Sequence, residues 1–144
     1  MCSSDLSRFI ASKDSEFHEN YKNVVPPAKA QDTIVRTGGL GTIRLWKNKF
    51  SLAKGLVKTK EEKMVEEKSL RDHRTAISQE ELAEEYRKDA IAGFAAYEGD
   101  VDNGYVLLGQ SIGVINKIES VSDIIESIIT GAEKALKKAI TYVG

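Results

Sequence analysis

The sequence predicts a mainly α protein with one or two short strands, and three observations carry that expectation. Two long stretches, residues 78–99 and 120–140, repeat apolar side chains at helical spacing behind a Ser-x-x-acid opening. The run "DTIVRT", residues 32–37, is short and β-branched, as a strand requires. Between these segments Pro and Gly clusters interrupt every candidate element before it grows long.

Taken in order, the first element is a helix expected from Ser12. Ser12 and Asp14 are cap-type residues, and Phe17, Tyr21, Val24 and Val25 then recur at i, i+4, i+7 and i+8 until Pro26-Pro27 stops the run. The strand at 32–37 follows, with "GGLG" at 38–41 as a loop. The stretch "TIRLWKNKFSLAKGLV" after it reads as a helix that turns Leu45, Trp46 and Phe50 inward. Residues 58–74, "KTKEEKMVEEKSLRDHR", alternate in charge and offer only Met64, Val65 and Leu70 for burial. They are expected to be a solvated helix or a mobile arm.

The two later helices carry clearer signals. Ser78 with Glu81 forms a capping box ahead of Leu82, Tyr86, Ala90, Phe94 and Tyr97, and Gly99 ends that helix. Ser120 with Asp123 opens the last one, whose stripe of Val121, Ile125, Ile128, Ala132, Leu136 and Ala139 marks a docking helix. Between them, Asn103-Gly104 marks a turn and residues 105–108 form a short apolar run. Gly109, Ser111 and Gly113 then supply small residues where backbone comes close to a neighbour.

Composition narrows the function classes. A chain of 144 residues, 41% hydrophobic and 30% charged, has the make-up of one globular domain or part of one. Its 21 basic residues nearly balance its 22 acidic ones, which gives no electrostatic reason to expect a nucleic acid or an anionic membrane as partner. No apolar run approaches the roughly 18 to 20 residues of a membrane span, and residues 1–12 lack the basic and apolar regions of a signal peptide. A single cysteine, Cys2, excludes an internal disulfide and fits the reducing cytoplasm. No metal site is expected, and His18 and His73 stand apart with no partner pattern, as solvated rather than catalytic residues.

Gly109-Gln110-Ser111-Ile112-Gly113 has the G-x-S-x-G spacing of a serine-hydrolase elbow. The chemistry does not follow, because such a Ser needs an acid and a His later in the chain, and no His follows Ser111. Neither this stretch nor 38–41 has the glycine spacing of a phosphate loop. On spacing alone, residues 109–113 are a tight helix start packed against a neighbour.

The order of "SRFIASKDSEFHENYK", "DTIVRTGGLGTIRLWKNKF", "GDVDNGYVLLGQSIGVI" and a C-terminal amphipathic helix resembles the final portion of the nitronate monooxygenase (2-nitropropane dioxygenase) family. These FMN-dependent oxidoreductases include flavin-dependent enoyl-acyl-carrier-protein reductases. The resemblance runs from about Leu6 to the end and is weakest across 58–79. It implies a (β/α)8 TIM-barrel flavoenzyme with a helical lid, of which this chain would be the C-terminal fragment, since a barrel needs about 250 residues.

Under that resemblance residues 7–31 are the end of the barrel and its last helix, 32–119 the lid segment with a charged insert at 58–79, and 120–144 the docking helix. Residues 1–6 resemble a translated sequencing adaptor and are expected to be a non-native leader. Ser7-Arg8-Phe9 matches the end of a family strand, Gln-Met-Gly-Thr-Arg-Phe, whose Gly-Thr backbone helps to hold the FMN phosphate; Leu6 stands where glycine is expected. The implied cofactor-binding residues are Leu6, Ser7, Gly109, Gln110 and Ser111, with no catalytic residue, since the family's catalytic His would lie upstream. The implied activity is oxidation of an alkyl nitronate by O2; the alternative in the same family is NAD(P)H-dependent reduction of an enoyl thioester. The implied partners are a small-molecule substrate and the missing N-terminal barrel, without which the fragment is expected to self-associate and to be inactive. From another class, a free-standing helical interaction module is the alternative.

Overall fold

In the computed structural model the described residues are 6–38, 41–53 and 59–142. Most of the expected leader, the middle of the Gly38–Gly41 loop, residues 54–58 and the last two residues lie outside them. Ser7–Ile10, matched by the resemblance to the end of a strand, is instead a short helix, α1, which leads into turns and irregular chain, and α2 covers only Glu19–Asn23. The first expected helix therefore starts later than Ser12, at His18, whose Nδ1 accepts the Asn20 N–H at 3.1 Å.

The reason is that the two cap-type residues serve distant partners. Ser12 forms a parallel bridge with Glu119, and the Lys13 N–H donates to the Glu119 carbonyl at 2.8 Å. The Asp14 carboxylate accepts the Val121 N–H at 2.6 Å, so Asp14 does cap a helix, the last one. Tyr21 and Val25 still face inward, as their spacing requires.

Strand β1 (Thr33–Gly38) lies within a residue of expectation, but the next stretch does not. Gly41–Trp46 is a second strand, β2, antiparallel to β1 from Thr33 opposite Trp46 to Gly38 opposite Gly41. The helical reading placed Leu45 and Trp46 on one face. In extended chain they point to opposite faces; Leu45 is buried beside Ile34 while Trp46 is half-buried. The apolar run 105–108 adds to this edge: the Trp46 N–H donates to the Val106 carbonyl at 2.8 Å and Leu45 bridges Leu107.

Helix is regained only at α3 (Lys49–Leu52), and its start explains why. Asn48 is buried, accepts the Ser51 N–H at 2.7 Å, and donates through Nδ2 to the carbonyls of Val101 at 2.6 Å and Gly104 at 2.8 Å. Ser51 Oγ donates in turn to the Trp46 carbonyl at 2.9 Å. One amide side chain thus ends the strand, caps the helix and holds the Asn103-Gly104 turn. A Cβ on Gly104 would stand 2.5 Å from the Ala92 carbonyl oxygen, which is the close approach that makes glycine necessary there.

The charged stretch forms a helix, α4 (Lys60–Ala76), with a Thr59–Glu62 capping box and no buried residue. α5 (Gln79–Tyr97) has the expected Ser78–Glu81 box and ends at Gly99, whose φ of 108° places it in the left-handed region. α6 (Val121–Ile140) follows its Ser120 cap, and Ile124 is its buried residue. The core joins α1, α2, the C-terminal end of α5 and residues 106–115: Ala11, Tyr21, Val25, Ala96, Leu108 and Ile112 are all within it. No helix of the described residues is long and apolar enough to cross a membrane.

Candidate functional site

The residues singled out in the sequence come from two segments, and the fold brings those segments into contact. Leu6 accepts the N–H groups of Phe9 and Ile10 at 3.0 and 2.9 Å, which winds α1 tightly and turns Ser7 into the core. There the Ser7 Oγ accepts the Gly109 N–H at 2.9 Å across 102 positions of sequence. Ser7 and Gly109 are both buried, Leu6 is exposed, Gln110 is exposed and Ser111 is half-buried.

Gly109 opens a 3₁₀ turn, Gln110–Val114, whose fixed point is the fully buried Ile112. The Ile112 N–H returns to the Gly109 carbonyl at 3.3 Å, and the Ile115 N–H to the Ile112 carbonyl at 3.1 Å. Gly113 explains its own identity, since a Cβ there would lie 2.8 Å from the Ala30 nitrogen. Gly109 has no such backbone angle, with φ at −84° and ψ at 172°. The tight turn packed against a neighbour is therefore present, as the spacing alone predicted. A hydrolase elbow is not: Ser111 sits in a 3₁₀ turn, and the sheet of the described residues is a two-stranded antiparallel one.

Next to this junction lies an apolar groove of about 300 Å³ that no motif announced. Its walls include Ile10, one turn beyond Ser7, and Leu107, two residues before Gly109, with Tyr21, Gly93, Phe94 and Tyr105 between them. The Tyr21 hydroxyl donates to the Leu107 carbonyl at 3.1 Å, and burial pushes its phenol well above the usual range. Tyr105 is raised as well, first by burial and then by Asp89, to which its hydroxyl donates at 2.8 Å. The signal that could have found the groove was the spread of aromatics from Phe17 to Tyr105. It is a signal of core packing too, and Phe17 lies tilted at 4.7 Å from Tyr21 and edge-on at 5.0 Å from Tyr97, as core rings do.

The two histidines serve other ends. His18 caps α2, and the His73 Nε2 lies 2.7 Å from Glu85 Oε1, linking α4 to α5 at the surface. Among the described residues no three His, Cys, Asp or Glu side chains gather as a metal site would need.

The whole arrangement, mostly helical with one two-stranded ladder, matches part of a larger known fold. That larger chain is FabK from Thermotoga maritima: 94% of this chain superposes on 38% of it, with 25% identity and a TM-score of 0.64. A single-site mutant of the same FabK gives 24% identity and a TM-score of 0.62 over 94% of this chain and 35% of that one. The chain thus spans little more than a third of the length of the structures it matches. No protein-family profile and no curated protein sequence matches it.

Proposed function

We propose that this chain is the C-terminal part of an FMN-dependent oxidoreductase, in which the Ser7–Gly109 junction stands beside the cofactor. The observation that carries the reading is that contact: the two segments to which the family resemblance assigns the flavin are 102 positions apart and share a buried hydrogen bond. The likeness of the fold to part of FabK, at 25% identity over 94% of this chain, supports it as well.

The residues present divide the work unequally. Ser7 and Gly109 satisfy each other inside the protein, so they fix the position of the turn rather than reach outward. Gln110 is exposed, and its carboxamide is the group suited to hydrogen-bond a flavin or substrate without displacing a packed neighbour. Leu6 has its carbonyl engaged in α1 and its side chain in water, so it brings nothing to a phosphate beyond its backbone N–H. When bound, FMN supplies the two-electron relay either reaction requires, and this chain's part is to position and shield.

Two substrates are consistent with that site. Oxidation of an alkyl nitronate by O2 follows from the sequence resemblance, and the alternative in the same family, reduction of an enoyl thioester by NAD(P)H, is comparably supported. We place the enzyme in the cytoplasm, a reducing compartment that suits a sequence with no cysteine pair to form a disulfide.

The test uses the full-length parent. It should purify with flavin and consume either NAD(P)H with an enoyl thioester or O2 with a nitronate. Gln110→Ala should weaken flavin binding or turnover by about two- to twelvefold, the worth of one neutral hydrogen bond, and leave the melting temperature unchanged. A full-length protein that neither retains nor binds FMN would refute the proposal.

A further inference from the structure

We propose that the buried guanidinium of Arg36, on β1, anchors a site for one phosphate group, carried by inorganic phosphate or by a phosphate monoester. Arg36 stands opposite Ile43 in the ladder and is only 7% exposed, on the face it shares with buried Ile34 and Leu45. Its Nε donates to the Ser51 carbonyl of α3 at 2.9 Å. Nη1 and Nη2 are buried as well, and neither has a partner. A guanidinium donates through Nε and both Nη groups, and here only the first is met.

An ion taken out of water and left unpaired is among the costliest groups a fold can hold. Nothing in the surrounding sequence relieves this one. Residues 33–60 contain seven Lys and Arg and not one Asp or Glu, although the chain as a whole is almost neutral. Arg44, on β2, donates to the Thr33 hydroxyl at 3.0 Å, and Lys47, just after β2, donates to the Gln31 carbonyl. Neither contact neutralises a charge. The local surplus is positive, so the partner that the two Nη groups lack is an anion.

Geometry then gives the class. With Nε taken by Ser51, the remaining edge is Nη1 and Nη2 side by side, a fork that matches two oxygens of one carboxylate or phosphate. Charge decides between those two. A phosphate group brings about −1.5 to −2 charges at pH 7 and a carboxylate one, and the surplus along residues 33–60 exceeds one. Because the Nη atoms are buried, the anion is admitted by local opening of the layer over the ribbon, and its binding adds to stability. None of these residues belongs to the Ser7–Gly109 junction, and the site does not rest on the flavoenzyme reading.

The probes are inorganic phosphate, phenyl phosphate and acetate, titrated into the 144-residue chain at an ionic strength held constant with chloride. Melting temperature and amide chemical shifts are followed. Phosphate should saturate one site, raise the melting temperature and shift the amides of Arg36 and Ser51. Acetate should bind about tenfold or more weakly. Arg36→Lys keeps the charge but loses the fork, and should weaken phosphate binding by about tenfold or more, while Arg36→Met should abolish it. If Arg36→Met fails to fold, Arg36→Lys decides alone. Lys49→Ala removes an exposed cation of α3 and should cost less than about twofold. Competition by phenyl phosphate would identify a monoester as the ligand, and its exclusion would identify the free ion. Absence of saturation, equal affinity for acetate, indifference to either Arg36 variant, or an equal loss in Lys49→Ala would overturn the proposal. So would a full-length parent that binds no phosphate, for the fork would then be met by one of the parent's own carboxylates.

Discussion

Ser7 shows how much one hydroxyl can hold. Its Oγ satisfies the buried N–H of Gly109, and Ser7→Ala would leave that donor without its acceptor. We expect a loss of about 1 to 3 kcal/mol in urea unfolding, the cost of an unsatisfied buried group, with amide exchange at Gly109 accelerated most. Unchanged stability would mean that the turn relaxes onto another acceptor. Residue types at such points were legible in part without the fold: Gly109, Ser111 and Gly113 stood out as small residues in a close place, whereas Ser7 stood out only through the family resemblance. Their partners were not, because nothing local to Gly113 announces Ala30, and nothing local to Ser7 announces Gly109.

Elements here are joined by caps that cross the sequence. Asn48 is the densest case, and Asn48→Ala removes the cap of α3 together with two donors to buried or half-buried carbonyls. A loss of roughly 2 to 4 kcal/mol is expected by thermal or urea denaturation, the cap and the unsatisfied carbonyls adding. Asn48→Asp should recover the cap but not the donors, and so fall between. The start of α6 is held differently, by charge. Lys117 and Arg8, at 2.7 and 3.0 Å, hold the Glu119 carboxyl below its usual range. A depressed folded-state pKa contributes stability that is present above the unfolded value, about 4.3, and is lost as pH falls through the lower folded value. Acidification from pH 5 should therefore loosen the contact between residues 8–14 and the N-terminus of α6. Glu119→Gln should remove that part of the pH dependence, and an identical acid profile in the variant would exclude Glu119 as its source.

At the scale of the whole molecule the exposed apolar side chains decide behaviour. Ile125, Ile128, Ile129, Leu136 and Ile140 on α6 are between 46% and 71% exposed, and α5 adds Ile91 and Phe94. A large aliphatic side chain left in water forgoes about 1.5 to 3 kcal/mol, so a contiguous stripe of them favours association. We expect the 144-residue chain to self-associate in sedimentation velocity, and Ile129→Glu with Leu136→Glu to return it to monomer without loss of helix. A monomer at high concentration with a sharp cooperative melt would favour the free-standing interaction module. The same stripe is what a larger enzyme would cover, in keeping with a chain that spans 38% of FabK.

What the amino-acid order determined by itself is the set of features whose partners lie within one helical turn. The Ser78–Glu81 box, the Ser120 cap, the glycine stop at Gly99 and the helical span of α6 all stand as the residues alone required, because i to i+3 and i+4 relations involve no distant chain. Tertiary structure decided the rest. Asp14 looked like the cap of its own helix and caps one 107 positions away; residues 42–46 had a helix-like apolar spacing and became a strand once β1 and Val106 offered backbone partners on both edges. A cap or a ladder goes to whichever unpaired backbone groups the fold brings nearest, and that choice is made in space, where short windows of sequence carry no information.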